Sequence, residues 1–207
     1  MNLLIGTRNR GKVREIYEVL KPLDLTLHHL EEFADIPAPP ESGSSYEENA
    51  TIKASYYAHE TGLCTLGDDS GLEVAALDGA PGLRSARFGG NNASDSDRVE
   101  LLLSKIKNVP ASMRHATFVC VMTIVESNGR VVHVAEGRCK GTLAMAPAGE
   151  GGFGYDPIFI PDGYDATFGE LASEIKNRIS HRALALAGIR QFIEQRFTNL
   201  TTGHADF

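Results

Sequence analysis

Gly6-Thr7-Arg8-Asn9-Arg10-Gly11-Lys12 stands between a short apolar run and an amphipathic segment, with three cations where a helix would begin. Unpaired N–H groups and the positive end of the helix dipole favour an anion there and disfavour cations. A bound phosphate would reconcile the two. The spacing completes GxxxxGK of a P-loop, but Val13 stands where a serine or threonine hydroxyl would hold magnesium. A second group is acidic: Asp68-Asp69-Ser70-Gly71 follows the apolar residues 63–67. Those residue types suit an ordinary turn. At the carboxyl end of an α/β strand, two carboxylates can also share Mg²⁺ with substrate phosphates, or one can take a proton from water. Their repulsion raises one pKa unless a cation is near. Glu41 and Lys53 could complete such a cluster.

Two further groups suit recognition better than catalysis. Residues 151–157, GGFGYDP, put Phe153 and Tyr155 among glycines, where a flat base could stack; the plain alternative is a glycine-rich surface loop. Ser180 reads as an N-cap that places His181 and Arg182 in a first helical turn, shortly after Lys176. Cations there again oppose the dipole, so base or phosphate recognition stands against a solvated helix start. His28, His29, His59, His115, His133 and His204 show no metal-ligand spacing.

The elements that must position these groups follow from periodicity. Leu3 to Ile5 predict a strand, and Val13, Ile16, Tyr17 and Leu20 one face of a helix ending before Pro22. Pro37, Pro39 and Pro40 make 34–43 a loop; Ser44 and Ser45, three residues before Glu47 and Glu48, predict a capped helix through about His59. Residues 63–67 predict a strand ending on the aspartates. GAPG at 79–82 and FGGNN at 88–92 read as loops, and Val99, Leu102, Leu103 and Ile106 as a helix capped near Ser94 or Asp95. Residues 116–125 and 130–136 flank Asn128-Gly129, the pair favoured in a two-residue hairpin turn. A last helix is expected from near Ser180, with a stripe at Leu186, Ile189, Ile193 and Phe197. Helices with an antiparallel hairpin predict an α/β or α+β fold around a mixed sheet.

Composition bounds the function. The 207 residues, 42% hydrophobic, predict one compact domain over 1–207, and a net charge of −7 argues against a nucleic acid polymer as partner. No segment approaches the roughly 18 apolar residues of a membrane span, so a soluble, cytoplasmic protein without a membrane partner is expected. Cys64, Cys120 and Cys139 are odd in number and lack a CxxC pair, which suits a reducing compartment.

Taken in order, these segments resemble the inosine/xanthosine triphosphate pyrophosphatase family. Thr7-x-Asn9-x-x-Lys12 is similar to its amino-terminal triphosphate motif, Glu48-Asn49-Ala50 with Lys53 to its next helix, and Asp68-Asp69-Ser70-Gly71-Leu72 to its acidic centre. GAPG with Ser85-Ala86-Arg87, GGFGYDPIF at 151–159, and Lys176 with Ser180-His181-Arg182 follow in the same order. The resemblance implies an elongated two-lobed α/β fold around a central mixed sheet with flanking helices, a nucleotide cleft and a homodimer. It implies Mg²⁺-dependent hydrolysis of ITP, dITP and XTP to the monophosphate and pyrophosphate. By matching position, Asp69 is the expected base and a metal ligand, Glu41 the second metal carboxylate, and Asp68 supporting. Thr7, Asn9, Lys12 and Lys53 are expected on the triphosphate, with Arg8, Arg10 and Gly11 beside them. Ser70, Phe153, Gly154, Tyr155, Asp156, Lys176, His181 and Arg182 are expected on the nucleoside. Two positions depart from the family: Pro40-Glu41-Ser42-Gly43 keeps one carboxylate where relatives often have two, and Arg8 replaces a commonly small residue. The residues alone leave two rivals open, a P-loop-like NTPase releasing orthophosphate and a non-catalytic purine nucleotide-binding module.

Overall fold

The computed structural model describes residues 1–202, with side chains through Arg196. Strands β1 (Asn2–Ile5), β2 (Thr26–His29), β3 (Cys64–Val74), β4 (Pro81–Gly82), β5 (His115–Val125), β6 (Val131–Leu143) and β7 (Phe159–Pro161) form one sheet. Their order is β2-β1-β3-β5-β6-β7, with β4 paired to β3. The sheet is mixed: β1 pairs in parallel with β2 and β3, whereas β3–β4 and β6–β7 are antiparallel. Helices α1 (Arg10–Leu20), α2 (Tyr46–Thr61), α3 (Asp95–Lys105), α4 (Ser173–Ile179) and α5 (His181–Thr202) complete the fold.

The chain divides into two compact units. The first comprises 1–69, 121–136 and 184–207; the second comprises 70–120 and 137–183. In the first, β1 is the buried centre, with Leu3, Leu4 and Ile5 wholly enclosed. Helix α2 lies directly on β3 at Gly67, where it presents the small Ala50 and Ala54; Tyr46, Asn49, Tyr57 and Ala58 are its other buried residues. At Gly67 a Cβ would fall 2.4 Å from the Ala50 carbonyl oxygen, so the close approach requires glycine. This approach carries Asn49 and Lys53 of α2 to Asp69 in the middle of β3. The second unit packs Leu72, Val74, Val99, Leu102, Phe118, Phe159 and Phe168 into one apolar cluster. Beside it the wholly buried Arg114 donates to the carbonyls of Ile106, Val109 and Ala144, each at 3.0 Å.

Several expected boundaries move. Strand β3 does not stop at Asp68 but runs through Asp68-Asp69-Ser70-Gly71 to Val74. The two carboxylates are matched by ammonium groups, so they do not force the chain into a turn. The hairpin loop is one residue longer than expected. The Gly129 N–H donates to the Glu126 carbonyl and the Glu126 N–H to the Arg130 carbonyl, with positive φ at Gly129 (85°) and not at Asn128. That pattern is a three-residue loop with a glycine bulge, since a two-residue I′ turn needs positive φ at both central positions. The helix expected from near Ser180 is α5, capped by Ser180 Oγ, which accepts from the Ala183 N–H; the short α4 before it, which Ser180 ends with extended backbone, was not expected. Leu186, Ile189 and Ile193 are buried as expected; the Phe197 side chain and His204 lie outside the described residues.

Candidate active site

The first unit gathers three carboxylates and two ammonium groups. Lys53 Nζ donates to Glu41 Oε1 at 3.0 Å and to Asp69 Oδ1 at 3.2 Å, and Lys12 Nζ donates to Asp68 Oδ2 at 2.6 Å. Asn49 holds the other Asp69 oxygen: its Nδ2 donates to Asp69 Oδ2 at 3.1 Å, while its Oδ1 accepts from the Gly43 N–H at 2.8 Å. Asp68 and Asp69 are 1% and 6% exposed. Burial raises the Asp69 pKa against the attraction of Lys53 and Lys12. For Lys53, burial pulls downward, but Asp68, Asp69 and Glu41 together outweigh it and raise its pKa. The cluster therefore holds a carboxylate of raised basicity beside an ammonium that stays charged.

Local sequence explains how these groups are held. Asn9 caps α1, its side chain accepting from the Lys12 N–H at 3.1 Å, and Thr7 Oγ1 accepts from the Asn9 N–H at 3.4 Å. The Ser45 hydroxyl caps α2 through the Glu48 N–H. That cap orients the helix so that Asn49 and Lys53, one turn apart, point the same way. Gly11 lies in the first turn of α1. Arg10 is exposed, 3.9 Å from Glu31, on a pocket of about 710 Å³ that Thr7, Arg8, Arg14 and Tyr17 also line. Arg8 donates to the Ile36 carbonyl.

All three carboxylates offer hard oxygen donors, which suit Mg²⁺. Among the described residues no three acidic, histidine or cysteine side chains converge as a ready metal cage. Mg²⁺ is ordinarily held by one or two carboxylates plus substrate phosphates, so the donor set fits an ion that arrives with a nucleotide. The Lys53 ammonium already bridges Glu41 and Asp69, marking a point where positive charge is stabilised.

The second unit builds a cation and aromatic cluster. Lys176 Nζ lies 4.7 Å and the Arg182 guanidinium 5.3 Å from the centre of the Phe153 ring. Asp156 Oδ2 accepts from Lys176 Nζ at 2.7 Å and from the Phe153 N–H at 2.8 Å, so one buried carboxylate sets both. Gly152 is needed beneath it: φ is +76°, and a Cβ would fall 2.0 Å from Asp156 Oδ2. The His181 ring stacks on Phe118 with centroids 4.5 Å apart and planes 7° from parallel. Arg182 donates to Ser70 Oγ at 3.4 Å. Gly154 N–H donates to Asp95 at 2.7 Å, and the Tyr155 hydroxyl donates to the Ser85 carbonyl at 2.9 Å. Buried cations beside an aromatic face form a surface able to stack a flat ring and donate to its carbonyl oxygens.

A model of the Ham1 family matches residues 3–192. The chain belongs to the Ham1 family. It is 45% identical to a dITP/XTP pyrophosphatase of Desulforamulus reducens, covering 95% of this chain and 98% of that one. With the dITP/XTP pyrophosphatase of Geobacter sulfurreducens the identity is 46%, over 92% of this chain and 96% of the relative. Among solved structures, a Ham1 protein from Coxiella burnetii superposes with a TM-score of 0.86 at 38% identity, covering 94% and 99% of the two chains. A nucleoside-triphosphatase, dITP/XTP pyrophosphatase, from Mycobacterium abscessus gives 0.74 at 42% identity over 91% and 98%. The resemblance read from the six ordered motifs and the α/β fold it implied are both borne out.

Within this Ham1 fold the residues expected from sequence fall into two groups. Glu41, Asp68, Asp69, Lys12 and Lys53 are joined directly in the first unit. Lys176, Phe153, Asp156, Arg182 and Ser70 are joined in the second, while Tyr155 and Gly154 turn to Ser85 and Asp95. Phe118 escaped the sequence reading, which named Asp95 only as a candidate helix cap and Ser85 only within a motif, because their contacts are set by tertiary packing. Asn49 could have been found: it stands in Glu48-Asn49-Ala50, one helical turn before Lys53.

Proposed function

We propose that this chain hydrolyses inosine, deoxyinosine and xanthosine triphosphates to the monophosphate and pyrophosphate, clearing deaminated purines from the nucleotide pool. The observation that carries this reading is the buried Lys53 ammonium bridging Glu41 and Asp69, with Lys12 on Asp68 beside it. That arrangement couples a base to cations able to receive phosphate charge. The names of the Ham1 relatives, dITP/XTP pyrophosphatase, support the substrate class.

In this account Thr7, Asn9, Lys12 and Lys53 hold the triphosphate. Ser70, residues 153–156, Lys176, His181 and Arg182 hold the nucleoside. Asp69 accepts the proton of the attacking water, its basicity raised by burial. Asn49 keeps the Asp69 carboxylate in one orientation by occupying its second oxygen. Lys12 and Lys53 neutralise charge that develops as the bond between the α and β phosphates breaks. Glu41 and Asp69, with Asp68 in support, would hold Mg²⁺, which when bound would supply charge that polarises the triphosphate. Purine choice follows from buried donors: a site aimed at O6 leaves groups unpaired when an exocyclic amine enters, and such mismatches discriminate strongly. The two units act as one catalytic domain, and the enzyme works as a cytoplasmic homodimer.

Incubation with inosine triphosphate and Mg²⁺ tests this reading. One pyrophosphate per nucleotide consumed is expected; orthophosphate with inosine diphosphate, or no turnover, would overturn it.

A further inference from the structure

Glu41 stands on a segment without regular structure, yet its carboxylate is held within 3.0 Å of Lys53 Nζ. Residues 37–43 have no helix or strand to fix them, so the segment must be held at its ends. At the far end the Gly43 N–H donates to Asn49 Oδ1, and the Ser44 N–H and hydroxyl both donate to Glu48 Oε2 at 2.6 and 2.8 Å. At the near end the Ile36 side chain packs on the cluster of Leu4, Leu30 and Tyr57, and its carbonyl accepts from Arg8 Nη2. The same guanidinium lies near the Tyr57 phenol, one turn beyond Lys53 on α2, and opposes the rise that burial gives the phenol pKa.

Between Ile36 and Glu41 lie Pro37, Pro39 and Pro40. Their rings lock φ and make such a stretch a semi-rigid spacer. The five steps from Ile36 to Glu41 would span about 15 Å at the roughly 3.1 Å per residue of a polyproline stretch. A displacement at Ile36 is therefore carried to Glu41 with little slack. Arg8 thus ties the loop of Thr7 and Asn9 to the root of the segment that bears Glu41, beside helix α2 with Asn49 and Lys53.

The geometry points to Arg8 as a positioning residue that sets Glu41 for metal binding, its guanidinium held by the Ile36 carbonyl beside Tyr57 and not by the triphosphate. This inference rests on the pyrophosphatase reading for the metal role of Glu41. Its first test does not. Arg8→Ala and Arg8→Lys are compared with wild type by amide hydrogen exchange in nucleotide-free, metal-free protein. Arg8→Ala should lower protection at the Ile36 and Gly43 amides; Arg8→Lys, which keeps one donor for the Ile36 carbonyl, should restore part of it.

In steady-state hydrolysis of inosine triphosphate, Arg8→Ala should raise the Mg²⁺ concentration for half-maximal velocity about tenfold, the scale seen when an outer support of a metal ligand is removed. KM for the nucleotide at saturating Mg²⁺ should stay within about twofold, and Arg8→Lys should fall between. Unchanged exchange, or an unchanged Mg²⁺ requirement alongside a raised nucleotide KM, would overturn the assignment and make Arg8 a direct phosphate contact. Failure of wild type to release pyrophosphate would overturn the functional reading alone, because the exchange result is read without turnover.

Discussion

Lys53→Met removes the ammonium from between two carboxylates and leaves a side chain of similar length. The Lys53 and Asp69 side chains are 12% and 8% exposed, so the loss is felt in a poorly solvated place. Charges 3.0 and 3.2 Å apart attract by about 5 kcal/mol each at an effective dielectric constant of about 20. Desolvation of Lys53 offsets much of that sum, and truncating one member of a buried pair ordinarily costs about 3–5 kcal/mol. The half-exposed Glu41 partner places the expectation near the lower end, roughly 3 kcal/mol.

The sign of the pH dependence follows from Asp69. Its folded pKa is raised, chiefly by burial, so its stabilising contribution is full below the ordinary carboxylate range and is lost as pH rises through the raised value. Without Lys53 that value rises further. The deficit of Lys53→Met should then be large near pH 7 and should largely vanish near about pH 3.5, where Asp69, its pKa raised, is protonated. Urea unfolding at the two pH values reads it, and millimolar Mg²⁺ should restore part of the loss at pH 7. A deficit equal at both pH values, or none at neutral pH, would refute the electrostatic account.

Asp156→Asn leaves the buried Lys176 ammonium without its carboxylate, and the KM for inosine triphosphate should rise at least about tenfold with a smaller change in kcat; an unchanged KM would detach Asp156 from nucleoside recognition. Arg114→Met strands three carbonyls and should cost about 3 kcal/mol at roughly 1 kcal/mol each. Thermal melting reads that loss, while kcat/KM well below the transition should match wild type.

The groups that carry chemistry were legible because each sits in a short, local pattern. Ser45 as the cap of α2 was readable from residue type and spacing, whereas Asn9, expected only on the triphosphate, also caps α1; both orient site residues. The course of β3 was not. Two adjacent aspartates read as a strand end, and only the approach of Lys12 and Lys53, 56 and 16 residues away, lets the strand continue. Helix α4 was hidden because its 7 residues are too few to show a periodic pattern, although Ser180, which closes it, was read as the cap of α5. Arg8 was read as one more cation for phosphate, and its Ile36 partner lies 28 residues away on a segment with no periodicity to place it.

The central claim is that Asp69 makes this cluster a catalyst and not only a binding site. Asp69→Asn keeps the shape of the side chain and removes the base. Turnover of inosine triphosphate and nucleotide affinity, measured on the same preparation, decide the matter. The account predicts a fall in kcat of about 10²-fold or more with affinity largely kept; turnover near the wild-type rate would contradict it.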